Sequence, residues 1–125
     1  MVYAGIFTST IIVSAGALVV RATLGPLGWS MDLLDYVAIV AGSTALVYAG
    51  RLRQAIGGRR SGQAADDWWG ENAGKAVLLW AVLEGAALAG AIVLFATGHV
   101  TVYALLVTFV LAGLVLTSPG RLARV

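Results

Sequence analysis

Four long apolar stretches, separated by short polar segments, dominate the hydrophobic pattern of this chain. They cover residues 2–20, 33–50, 76–97 and 100–118. Each stretch is close to the 17–25 residues that a membrane-spanning helix needs. The pattern predicts an all-α fold, a four-helix transmembrane bundle that forms a single integral membrane domain over residues 1–125.

Capping and turn residues mark the expected ends of these helices. Ser30 can cap the second helix, and Asp32 then lies in its first turn, where the helix dipole favours a negative charge. Pro26, between two nearby glycines, keeps the first connection non-helical. At the last turn, we expect Gly98 to end the third helix and Thr101 to cap the fourth.

The composition is typical of a protein that is surrounded by lipid. Apolar residues make up 60% of the 125 positions and charged residues only 11%, whereas a soluble domain carries about 25% charged residues. So much apolar surface needs lipid to cover it. Because the chain has no cysteine, a disulfide framework, a thiolate metal site and a thiol nucleophile are excluded.

Basic residues are concentrated on one side of the predicted bundle. Four antiparallel spans place both termini and the middle connection on the same side, and seven of the eight cations lie there, with only Arg21 opposite. Basic residues favour the cytoplasmic side, so we predict cytoplasmic termini in a multi-pass protein of a bacterial inner membrane. The seven cations are Arg51, Arg53, Arg59, Arg60, Lys75, Arg121 and Arg124.

The first stretch has an alternative interpretation as a signal peptide, with a cleavage site at Val13-Ser14-Ala15. A signal peptide has a basic segment before its apolar core, and no basic residue precedes this stretch. The apolar run also continues past Ala15 to Val20. Both observations favour a retained span.

Two adjacent tryptophans lie where the middle connection meets the third stretch. A helix is expected to begin near Asp66, with Glu71 and Lys75 at the supportive i,i+4 spacing. Trp68 and Trp69 then fall at the level of the lipid headgroups, where amphipathic rings anchor spans. We therefore predict that these two side chains are interface anchors.

Glu84 is the most conspicuous chemical group of the chain. It lies nine residues after Lys75 in an otherwise uncharged stretch, or about 13–14 Å along a helix axis, close to the middle of a hydrocarbon layer about 30 Å thick. Acids at this depth are costly and usually face the interior of a bundle. We expect a buried, protonated Glu84 that donates a hydrogen bond to a neighbouring helix. Hydroxyls at its depth are the candidate partners: Ser14, Ser43, Thr44 and Thr108.

Small residues recur beside Glu84 at helical spacing. Such residues let the backbones of two helices approach closely in lipid, where the hydrophobic effect gives no drive for association. We predict that they form helix-packing faces. The residues are Ala81, Gly85, Ala89 and Gly90.

The remaining polar residues do not form a catalytic pattern. His99 is the single histidine and falls at the outer turn. No base is therefore placed to activate a serine or threonine as a nucleophile. Asp32 and Asp35 are interpreted as helix-start charges, with a minor role at an ion entrance as the alternative. The arginines have no interleaved aromatic residues, so nucleic-acid binding is not expected. We predict no catalytic, cofactor-binding or metal site.

One segment resembles known proteins. Leu83-Glu84-Gly85-Ala86-Ala87-Leu88-Ala89-Gly90, followed by Thr97-Gly98 and by the tail Ser118-Pro119-Gly120-Arg121, is similar to small uncharacterised bacterial four-span membrane proteins. The same segment resembles the proteolipid of rotary ATP synthases, in which a helix carboxylate followed by small residues binds the coupling ion. The acid lies in the third of four spans here, and the glycine-repeat helix of the proteolipid is missing. The resemblance therefore implies a membrane location without an assigned activity.

Two functions follow as hypotheses. The first is a small non-enzymatic membrane protein, a structural or accessory subunit that packs in the lipid bilayer as a homo-oligomer or against other membrane subunits. The alternative is a proton- or cation-coupled small transporter that uses the midplane acid Glu84. Small multidrug exporters also have four spans and a membrane glutamate, but theirs lies in the first span, which has no acid here.

Overall fold

The described part of the chain is entirely helical. The computed structural model describes residues 1–28 and 31–124, and no strand occurs within them. The all-α prediction is therefore confirmed. The helices are α1 (Val2–Leu24), α2 (Leu33–Ala55), α3 (Ala65–Thr97), α4 (Val100–Leu116) and the short α5 (Pro119–Leu122).

Three of these helices, α1, α2 and α3, are long and apolar enough to cross a membrane. The fourth, α4, is apolar but has 17 residues, or about 25 Å at 1.5 Å per residue. By contrast, α3 has 33 residues, and its first ten carry Asp66, Asp67 and Glu71. These lengths and compositions are compatible with a membrane protein.

The first helix, α1, directs two of its polar side chains, Thr10 and Ser14, toward the rest of the protein. Thr10 and Ser14 are 2% and 5% exposed, whereas Ile12 and Val19 are 64% and 65% exposed. A helix of a water-soluble protein has the opposite arrangement, with its apolar stripe toward the core. In a bilayer, polar side chains are the ones that face the interior, so the outward apolar face of α1 is suited to lipid.

The third helix, α3, is the centre of the packing. It contacts α1, α2 and α4, while α1 and α2 scarcely touch one another. Its buried side chains include Leu79 and Leu83, which share one apolar cluster with Val110 and Leu114 of α4. The three remaining long helices, α1, α2 and α4, therefore all pack against α3.

Helix ends differ in part from the predicted ones. Gly98 ends α3 in the left-handed conformation (φ 75°) and donates its N–H to Leu94 O, as predicted. Asp32 is the N-cap of α2, and Ser30 lies outside the described residues. The prediction that Thr101 caps α4 is wrong, because the left-handed Gly98 reverses the chain within one residue and His99 already occupies the N-cap position.

The helices also extend beyond the predicted apolar stretches. The end of α1 moves from residue 20 to Leu24 and that of α2 from residue 50 to Ala55, because arginine is a good helix former and does not stop a helix. The short helix α5 was not predicted. It begins at Pro119, a residue type favoured at the first helical position.

Close packing of α2 against α4 at Gly42 leads to a testable prediction. A Cβ added to Gly42 would overlap Leu106 Cδ2 and lie 2.9 Å from Leu106 Cδ1, and Leu106 is itself buried. Overpacking of this kind costs about 1–3 kcal/mol, so Gly42→Ala should lower the free energy of unfolding, measured by denaturant titration in detergent micelles.

The matched control for this substitution is Gly50→Ala in the same helix. A Cβ on Gly50 meets nothing within 4 Å, and alanine is the better helix former by roughly 0.5–1 kcal/mol. Gly50→Ala should therefore stabilise slightly. Equal effects of the two substitutions would contradict the close approach of α2 and α4.

Candidate functional site

The acid Glu84 lies half-buried on α3 and faces α1. Its Oε1 is hydrogen-bonded to Ser9 Oγ in a short contact. The same Ser9 hydroxyl lies 3.0 Å from the carbonyl oxygen of Ile6, one turn earlier in α1. A serine hydroxyl has one hydrogen and two lone pairs, so Ser9 can donate to only one of these two oxygens at a time.

The hydroxyls predicted as partners of Glu84 lie elsewhere. Ser14 is buried, and its carbonyl oxygen accepts a hydrogen bond of 2.6 Å from the Tyr103 hydroxyl. Thr44 is exposed and donates to Val40 O of its own helix at 2.8 Å. Ser43 and Thr108 are also exposed. The partner is Ser9, which precedes buried Thr10 by one residue.

Small residues near Glu84 separate into two faces of α3. Gly90 is buried, and a Cβ there would lie 3.3 Å from Leu106 Cβ and 3.4 Å from Tyr103 Cα of α4. Ala81 and Gly85 are exposed, and a Cβ on Gly85 would meet nothing within 4 Å. Ala89 is intermediate. The structure therefore uses Gly90 for internal packing and leaves Ala81 and Gly85 open.

One end of the molecule is built around tryptophans, and we call it the tryptophan end. Trp68 is buried and donates its ring N–H to Gly57 O at 2.8 Å, which fixes the connection before α3. Trp69 is half-buried, with its ring 4.8 Å from that of Trp68 in an edge-on arrangement. Trp80 donates to Thr117 O at 3.0 Å, across from α3 to the end of α4. Of the two predicted anchors, only Trp69 leaves part of its ring accessible.

The opposite end, called the histidine end, brings together Arg21, Asp32, Asp35 and His99. Asp35 is fully buried (0% exposed). Its Oδ2 lies 2.6 Å from His99 Nδ1 and accepts the Asp32 N–H at 2.8 Å. A carboxylate can only accept, so Nδ1 carries the hydrogen in this contact. Asp32 in turn accepts from the Asp35 N–H, which completes a capping box at the start of α2.

A backbone bridge reinforces the histidine end. Gly28 donates to Gly98 O at 3.0 Å, and Val100 donates to Gly28 O at 2.8 Å. The guanidinium of Arg21 covers Gly98 so closely that a Cβ there would lie 2.5 Å from Arg21 Nη2. The end of α1, the start of α2 and the turn between α3 and α4 are thereby joined.

Three potential metal ligands lie close together at this end. One atom each from Asp32, Asp35 and His99 falls within 4.8 Å of the others. However, Asp35 Oδ2 already accepts two hydrogen bonds, and His99 Nδ1 needs its hydrogen for one of them. The positive end of the α2 dipole also disfavours a cation. The geometry fits a hydrogen-bonded joint between helices better than a metal centre.

No family model, curated protein or solved structure matches this chain. The roles of the residues above rest on geometry alone. Two contacts, Ser9 with Glu84 and Asp35 with His99, were missed from the sequence. The spacing of Asp32 and Asp35, an acid followed three residues later by another, is a capping-box pattern and is the signal that could have indicated a cap at Asp32.

Proposed function

We propose that this protein is a small, non-enzymatic subunit of a membrane assembly, with four spans and both termini in the cytoplasm of a bacterial cell. In this proposal α4 crosses the bilayer together with the three longer helices. The bias of basic residues toward the tryptophan end supports the orientation. The role is structural or accessory, and the partners are lipid and either further copies of the chain or other membrane subunits.

The observation that carries the proposal is that buried polar groups form hydrogen bonds between helices. Several of them join one helix to another, as Tyr103 of α4 does with Ser14 of α1 and Trp80 of α3 with Thr117 after α4. Five cavities lie on the described residues, 1–28 and 31–124, and Glu84 does not line any of these five. Polar groups that pair helices hold a bundle together, whereas those of a transporter line a passage.

The surface offers a place for assembly. Ala81 and Gly85 form an open strip on α3, and exposed Leu88 continues it by one turn. Small residues allow a second helix to approach within van der Waals contact in lipid. This strip borders Glu84, so a partner helix seated there would shield the acid from lipid.

A second candidate function is proton or cation exchange at Glu84. The Ser9 hydroxyl supports it, because this group can donate to an ionised Glu84 or, after rotating toward Ile6 O, accept from a protonated one. Both charge states of the acid would then keep a hydrogen bond. This property suits a group that alternates between states during coupled transport.

The two candidates predict different results for Glu84→Gln, an isosteric change. For a structural subunit that packs against copies of itself, the purified wild-type protein should give no pH-driven flux in liposomes and should form an oligomer in detergent. Glu84→Gln should keep that oligomer, since an amide retains one hydrogen bond to Ser9 and such contacts contribute only about 0.6–2 kcal/mol in membranes. The two measurements are the pH-driven flux in liposomes and the mass of the oligomer in detergent.

The control is Glu71→Gln, an exposed acid on the same helix near the tryptophan end. Gly85→Leu should reduce the oligomer mass, because a bulky side chain would fill the open strip. Wild-type flux that disappears in Glu84→Gln but survives in Glu71→Gln would replace the structural role by coupled transport. A monomeric wild type would contradict self-assembly.

A further inference from the structure

The second and fourth helices, α2 and α4, enclose a long groove at the protein surface. Two cavities of about 270 and 350 Å³ lie along it and share Leu46 and Phe109 in their linings. The helices meet at Gly42 and Leu106 and separate toward the tryptophan end. We call this feature the α2–α4 groove, defined by Ser43, Leu46, Gly50, Arg53, Phe109 and Leu116.

The α2–α4 groove opens sideways, in the direction that lipid would occupy. Val47, Leu105, Phe109 and Leu116 border it and are each about half exposed or more. Its lining is apolar along nearly the whole length. The groove lies between two helices that touch at Gly42 and Leu106, and its open apolar side suits an acyl chain.

One end of the groove is cationic. Arg53, in the last turn of α2, lines it together with Thr117. Thr117 also accepts the Trp80 ring N–H, and tryptophans mark the level of the headgroups. Within the described ranges, 1–28 and 31–124, no carboxylate forms an ion pair with Arg53. The guanidinium is therefore available to an anion at the membrane surface.

The length of the groove matches one leaflet. Ser43 and Arg53 are ten residues apart on α2, or about 15 Å along the axis. This distance is half of a hydrocarbon layer about 30 Å thick. An acyl chain whose headgroup lies at Arg53 would therefore end close to Ser43.

From this combination of shape, length and charge, we propose that the α2–α4 groove binds one anionic phospholipid. An acyl chain lies between α2 and α4, and the phosphate pairs with Arg53. The inference rests on the membrane placement proposed above, but it requires neither self-assembly nor any property of Glu84. Failure of the flux or mass experiment would therefore leave it standing.

Titration of the delipidated protein with phosphatidylglycerol or phosphatidylcholine, followed by native mass spectrometry, tests this site. One phosphatidylglycerol should bind in preference to phosphatidylcholine. Arg53→Gln should weaken phosphatidylglycerol binding about fivefold, the contribution of one cation near an anionic surface. The matched control Arg51→Gln removes an exposed cation two residues away that does not line the groove and should have no such effect.

A second pair of variants tests the apolar part. Gly50 lines the groove and its Cβ position is open, so the leucine side chain of Gly50→Leu should occupy the slot and abolish binding of both lipids. Gly16→Leu, at an equally open position of α1 outside the groove, should leave binding unchanged. Ser43→Leu fills the other half of the slot and replaces Gly50→Leu if that variant does not fold.

Three results would overturn the proposal. The first is equal affinity for the two lipids, and the second is equal loss in Arg53→Gln and Arg51→Gln. The third is unchanged lipid binding when the groove is filled. Loss of a dimer in Gly50→Leu, with lipid binding intact, would assign the groove to a second copy of the chain instead.

Discussion

Replacement of Asp35 by alanine is expected to destabilise the protein by about 2–6 kcal/mol, because two donors would lose their buried acceptor and each such loss costs about 1–3 kcal/mol. Asp35 is fully buried and serves two donors, the His99 ring and the Asp32 backbone. Alanine would leave both donors without an acceptor, and each buried unsatisfied group is costly. The measurement is the free energy of unfolding in mixed detergent micelles.

Asp67→Ala provides the control for this substitution. Asp67 is also an acid in the first turn of a helix, but it is exposed, so its loss should cost only the dipole contribution of about 0.3–1 kcal/mol. In a double-mutant cycle with His99→Ala, the coupling energy should reach about 0.5–3 kcal/mol. Additive effects of Asp35→Ala and His99→Ala would show that the pair does not hold the helices together.

Gly98→Ala is expected to cost about 2–5 kcal/mol for two separate reasons. The first is the left-handed backbone (φ 75°), which costs a residue with a Cβ about 1–2 kcal/mol. The second is overpacking, worth about 1–3 kcal/mol, because the Cβ would lie 2.5 Å from Arg21 Nη2 and 3.2 Å from Pro26 O. The Pro26 oxygen belongs to the backbone and cannot rotate away.

Gly62→Ala separates these two contributions. Gly62 has nearly the same backbone conformation (φ 82°), but a Cβ there would meet nothing within 4 Å. Gly62→Ala should therefore show the conformational cost alone, and the difference between the variants measures the contact with Arg21 and Pro26. If the two substitutions cost the same, Arg21 does not pack against the turn.

The sequence predicts where the helices of this protein lie along the chain better than it predicts which helices contact one another. Apolar length and composition locate α1 to α3, since a run of about 20 apolar residues has few alternatives. Glycine at residue 98 identifies the end of α3, because few other residues adopt the left-handed conformation. The last turns of α1 and α2 could not be predicted from apolar length, because they contain arginines that continue the helix beyond the apolar run.

Contacts between helices are harder to predict, because they depend on how each helix is rotated toward its neighbours. Depth along the axis can be counted from the sequence, but the direction of a side chain turns by about 100° per residue. Ser9 and Thr10 have almost the same depth, yet only Ser9 reaches Glu84. The pairing of Asp35 with His99 joins residues 64 positions apart and follows from the order in which the helices pack.

The central position of α3 has a consequence for biosynthesis. The first two helices, α1 and α2, leave the ribosome before α3 and scarcely touch each other in the finished structure. In the proposed membrane placement they therefore enter the bilayer as separate helices, with Thr10, Ser14 and Asp35 facing lipid or transient partners. Once the chain is complete through His99, α3 supplies the surface against which α1 and α2 pack, and His99 supplies the donor that Asp35 lacked. The protein should therefore be most susceptible to membrane proteases before its third helix is inserted.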